Sequence, residues 1–175
     1  EKIKRDNNRV HIAKLTSQDN TGDDVTGGYI LEQNYWDANN SFISNYSPID
    51  HPTFDVHFVY KEPGLDSITV PQKAYIAAFI DSLEDALYSP DFADTIDGYR
   101  KYLDTKSFID YFLVNELARS NDGFKKSVYL NQEKLSDSRI ITHFSRLIFY
   151  KLYNRKSVTL IDLRLCLQMN CFMPV

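Results

Sequence analysis

The sequence is poor in the residues that mark disulfide-bonded, metal-binding and phosphate-cradling domains. Only two cysteines occur in 175 residues, Cys166 and Cys171, both within the last ten positions. Thiols five apart beside Met and Phe match no structural zinc spacing, and they say little about redox compartment. Glycine is scarce, with six residues and none after Gly123. The one glycine pair, Gly27-Gly28, belongs to neither a GxGxxG fingerprint nor a Walker loop, so no phosphate role attaches to it. Gly-x-Ser-x-Gly, His-Glu-x-x-His and Cys-His patterns are missing, which removes the common hydrolase signatures. Basic charge is in deficit: the net charge is −4 and the pI about 5.5, against a nucleic-acid partner, which favours a basic face. No apolar run approaches the ~18 residues that a membrane span needs.

What is present suits one domain, with an appendage. Hydrophobic residues make up 43% and aromatic residues 14%, with 12 Tyr and 11 Phe against one Trp, enough for a sizeable core. The charge is unevenly spread. Residues 1–135 hold 14 Lys and Arg against 22 Asp and Glu, whereas 136–175 hold six against two. The expected division is a domain over 1–134 and an atypical tail over 135–175, the tail reading as a shifted frame or truncated gene product. The opening Glu1-Lys2-Ile3-Lys4-Arg5 reads as mid-domain sequence, so a missing leader says nothing about export.

Two helices stand out. Over 70–88, apolar residues recur at Tyr75, Ile76, Phe79, Ile80, Leu83 and Leu87, with Asp81, Glu84 and Asp85 expected to face outward. Thr69 and Gln72 are spaced as a capping box, Pro71 sits in the first turn, and Ser89-Pro90 ends the helix. The second helix, 105–119, is capped by Asp104 or Thr105 and turns Ile109, Phe112, Leu113 and Leu117 inward, widened by Phe108 and Tyr111. Strands are expected near 25–33, 54–60 and 127–132, and loops at 16–28, 34–54 and 89–104. In the tail, 140–153 has helical and 157–167 strand-like character. Asp19, Thr21 and Asp23 alternate like a calcium loop but lack its closing acid, so a solvated loop is the simpler reading. His51, Asp55 and His57 make at best a weak metal set.

The stretch of greatest chemical interest is Ser120-Asn121-Asp122-Gly123-Phe124-Lys125-Lys126-Ser127, between the second helix and a strand. Phosphoryl transfer to a hydroxyl needs a carboxylate to orient the nucleophile and accept its proton, and a metal ligand a few residues on. Asp122 and Ser127 stand in the Asp-x4-Asn relation of protein kinases, with Ser127 a weaker oxygen donor than Asn. Lys125 is placed to meet phosphate charge. On spacing alone, a plain Asp-Gly turn accounts for the same residues.

Several stretches together resemble the spore coat protein H (CotH) kinase-like family. "EKIKRDNNRVHIAKL" and "GDDVTGGYILE" are similar to its segment after a glycine-marked hairpin. "FVYKEPGLDSITVPQKAYIAAFIDSLEDAL" is similar to its Tyr/Pro piece and long helix, and "IDYFLVNELARSNDGFKKSVYLNQEK" to its helix, catalytic loop and following strand. The resemblance covers about 1–134. It implies an α+β, partly kinase-like fold: a mixed sheet on two main helices, with 105–119 carrying Asp122 to the sheet's edge. It further implies ATP and Mg²⁺ as cofactors, a protein substrate with serine acceptors, and an exported or cell-surface setting. Asp122 then corresponds to the catalytic base, Ser127 to a metal ligand, and Lys125 to a nucleotide contact.

The chain departs from the family at both ends of the resemblance. The family's phosphate-binding lysine lies on strands that would precede Glu1. Its metal-binding Trp-Asp-Phe-Asp string should follow the last strand, where this chain reads "NQEKLSDSRIITHFSRL". The expectation is therefore an inactive or nearly inactive fragment with uncovered apolar faces and low stability. A non-catalytic surface or adhesion module retaining the fold is the alternative.

Overall fold

A computed structural model describes residues 15–34, 37, 39–47, 52–120, 128–134 and 139–142. The architecture is α+β. Five strands, β1 (Tyr29–Asn34), β2 (Ser41–Ile43), β3 (His57–Glu62), β4 (Val128–Gln132) and β5 (Ile140–Thr142), form one sheet in the order β2-β3-β1-β4-β5. Every named pairing is antiparallel. The helices are α1 (Val70–Tyr88) and α2 (Thr105–Ala118).

Alternation along the strands sorts side chains to two faces. Tyr29 and Leu31 of β1, Phe58 and Tyr60 of β3, and Val128 and Leu130 of β4 join Ile76, Ile80 and Leu83 of α1 and Tyr111 of α2 in one core. Leu103 and Ile140 close it; they form an isolated parallel bridge beside α2. Ile140 lies past the charge break and is nonetheless buried. Where sequence spacing favoured a helix from 140, Ile140–Thr142 is strand, because its backbone completes the ladder to β4.

The start of α1 obeys its capping signal: Thr69 Oγ1 accepts from the Gln72 amide, and the Gln72 side chain accepts from the Thr69 amide. The helix departs from expectation at Glu84, which is buried instead of outward. The 40s segment covers that side of the helix, a contact that helical periodicity cannot reveal. In α2, capped by Asp104, the buried residues are Tyr111, Phe112 and Asn115, while Leu117 is 43% exposed. The inward face is thus rotated toward the aromatic residues. Strand β3 starts three residues later than alternation suggested, leaving Phe54 exposed, and β2 arises inside a stretch read as loop.

The loop over 15–28 is anchored at several points. Gln72 Nε2 donates to the carbonyls of Thr16 (2.7 Å) and Asp19 (3.0 Å). Lys134 Nζ lies 2.9 Å from the Asp19 carboxylate. Asp19 also accepts from the Thr16 amide and hydroxyl. Backbone and lysine hydrogen bonds hold its carboxyl below the usual range. Its carboxylate is engaged in fastening the loop.

Candidate active-site frame

Asp122, Lys125 and Ser127 fall within 121–127, outside the described residues, as does His51. The structure describes the two rigid elements that bracket them. Helix α2 ends at Arg119, a non-glycine residue at φ 49°, in the left-handed region. Its amide bonds back to the carbonyls of Asn115 and Glu116, and the Ser120 amide to Asn115. Asn115 itself is 1% exposed, and its Nδ2 donates to the Tyr111 carbonyl 2.9 Å away. The last turn is therefore pinned from inside, and the chain leaves it in a fixed direction. Arg119→Gly is expected to stabilise the protein by about 1 kcal/mol, since the exposed side chain contributes little and glycine adopts this conformation freely. A chemical denaturation midpoint that falls instead would show that the arginine side chain matters there.

On the far side of the bracket, Val128 is fully buried and pairs with Gln33, and Tyr129 pairs with Glu32. Strand β4 thus begins opposite Gln33, one residue from Glu32. This is the functional-looking cluster that sequence reading missed. A register shift between Ile30 and Leu31 leaves Lys61 without a cross-strand partner position, and its ammonium pairs with the buried Glu32 carboxylate. Asn34 Nδ2 donates to Glu32 Oε1 at 2.7 Å. Burial, with the charge and hydrogen bond of Glu32, pushes the Tyr129 phenol up to about 12. On the same face, Asn131 is 2% exposed, and neither end of its amide has a hydrogen-bond partner among the described residues; His57 Nδ1 has none either. Nothing in composition marks these residues, because a strand reading Glu-Gln-Asn looks solvated until its second face is known to be covered. The only signal was alternation itself, which places Ile30 and Val59 on that face and so makes it an apolar as well as a polar surface.

Among the described residues no group of three or more His, Cys, Asp and Glu is disposed to hold a metal ion. No helix among them is long and apolar enough to cross a membrane.

Comparison with protein families decides the affiliation. The profile of the family described as CotH kinase protein matches residues 1–142, well over half of the chain. The chain belongs to the CotH kinase family. No curated protein and no solved structure matches it significantly. The match to the CotH family takes in α2, the 121–127 segment and all five strands, so the bracket described above lies within the family's domain.

Proposed function

We propose that this chain carries the catalytic-loop region of an ATP- and Mg²⁺-dependent protein serine kinase, with a partly kinase-like fold. The observation that supports this most is that the family match over residues 1–142 spans α2, β4 and the sequence between them, where Asp122 occurs. The serine hydroxyl of the substrate attacks the γ-phosphorus of ATP, the new O–P bond forms, the bond to the β-phosphate oxygen breaks, and ADP leaves. Asp122 orients the hydroxyl and accepts its proton. Lys125 offers a cation to phosphate oxygens. Ser127 presents a hard oxygen donor, the chemistry that suits Mg²⁺. Bound there, the ion would neutralise charge on the phosphates. The pinned last turn of α2 and the buried start of β4 restrict where the loop begins and ends, which favours preorganisation of a base.

The family's phosphate lysine and its Trp-Asp-Phe-Asp metal string have no counterpart among residues 1–175. Removing such electrostatic partners typically costs on the order of 10²–10³ in rate each. The 175-residue polypeptide alone is therefore expected to transfer phosphate very slowly, and a parent protein carrying the complete domain to do so efficiently. The test is transfer of labelled γ-phosphate to serine-containing protein in the parent, with and without Mg²⁺. Asp122→Asn is expected to lower kcat by roughly 10²–10⁴ with the fold intact. An Asp122→Asn parent with unchanged turnover, or a parent that transfers no phosphate, overturns the assignment.

A further inference from the structure

We propose that Glu84 and Ser44 form a proton-dependent clasp that holds the segment after β2 against α1, and that raising the pH opens it. This reading is independent of the kinase assignment.

The geometry of the clasp favours a proton on Glu84. Ser44 Oγ lies 2.7 Å from both carboxyl oxygens of Glu84 and 2.9 Å from the Tyr46 carbonyl, and it accepts from the Tyr46 amide at 2.9 Å. A serine hydroxyl has one proton to give and two lone pairs to receive with. With Glu84 ionised, the carboxylate and the Tyr46 carbonyl compete for that single proton, and one is left without it. With Glu84 neutral, its own proton goes to Ser44 Oγ and the serine proton goes to the Tyr46 carbonyl, so every group is satisfied. Glu84 is 5% exposed, so a charge there is poorly solvated. The titratable groups that sense it are Asp81, Asp85 and Tyr88 on α1 itself and Tyr46 on the segment, none of them a cation; Ser44 is its direct hydrogen-bond partner. No cation among the described residues offsets it, and burial, then the charges of Asp81 and Asp85, push its carboxyl up to about 7 despite the Ser44 hydrogen bond.

The remaining fasteners are on the outside of the same joint. Tyr46 stacks on Tyr88 with ring centres 4.2 Å apart, and its hydroxyl donates to Asp85 at 2.6 Å. The Asp85 interaction and burial hold the Tyr46 phenol up to about 12, so it stays protonated through the range in which Glu84 titrates. The Ser44 amide donates to the Val56 carbonyl, tying the segment to the approach of β3.

The sign follows from where the proton sits. An acid with a raised folded value binds its proton more tightly folded than unfolded. The extra stability is fully present below the ordinary 4.5, falls as pH rises toward about 7, and is gone above it.

Hydrogen exchange of the Tyr46 amide, corrected for intrinsic rate, reads the joint directly. In the full chain, protection is expected to fall by about tenfold or more between about pH 5.5 and pH 8.5, and in Glu84→Gln to stay flat. A carboxyl-carbon titration of Glu84 is expected to show a midpoint near 7. Unchanged Tyr46 protection across that range, the same loss in Glu84→Gln, or a Glu84 midpoint near 4.5 would each overturn the proposal. The titration uses the unaltered chain, so it decides the matter even where the variant folds poorly.

Discussion

Gly27→Ala is expected to destabilise the protein by about 2–5 kcal/mol, the sum of a left-handed backbone penalty of about 1–2 and an overpacking cost of about 1–3. Gly27 sits at φ 78°, and a Cβ there would lie 2.2 Å from the Glu133 carbonyl oxygen and 2.7 Å from the Lys134 Cα. Those atoms are backbone and have little room to retreat. Directly after it, the Gly28 amide donates to the Gln132 carbonyl at 2.7 Å. The glycine pair therefore lets the end of the 15–28 loop lie against the end of β4 and start β1 in register. Urea denaturation of the variant should show a much lower midpoint, and its Tyr29 and Lys134 environments should be the first altered. A loss below about 1 kcal/mol would mean that the 133–134 backbone yields easily.

Gln72 provides the second large effect. Its side chain is 0% exposed and makes three hydrogen bonds: Oε1 accepts from the Thr69 amide, and Nε2 donates to the Thr16 and Asp19 carbonyls. Gln72→Ala removes all three and leaves part-buried backbone groups without these partners, at an expected cost of about 2–4 kcal/mol. Gln72→Glu separates two roles. It keeps an acceptor for the Thr69 amide, so the capping box survives. It also sets a carboxylate oxygen against two carbonyl oxygens, where an amide had donated. Glu is expected to be at least as damaging as Ala at neutral pH, and to recover partly in acid as the carboxyl gains a proton it can donate. If Glu were tolerated like Gln, capping alone would explain the residue and the loop anchor would be unimportant.

This residue shows how far local sequence carries the fold. Thr69-x-x-Gln72 announced where α1 begins, and Ser89-Pro90 where it ends, because capping and proline chemistry act within four residues. The same signals could not show that the other half of the Gln72 amide reaches back more than fifty residues to the 15–20 loop. The elements on either side of Asp122 were legible in a similar sense. The helix before it and the strand after it could be read along the chain, and the family profile covers the residues between. The Glu32–Lys61 pair could not, because that pairing depends on a bulge between β1 and β3.

Amino-acid order by itself determined the two helices, the strands that become β1 and β4, and the family to which the chain belongs. Each rests on periodicity, on caps acting over one turn, or on motifs in a fixed order. Tertiary structure alone decided that Glu84 lies inside, that Asn115 rather than Leu117 faces the core, and that Ile140 completes the sheet. Burial and pairing are properties of what another segment covers, and a polar residue looks the same in sequence whether water or a neighbouring strand lies against it.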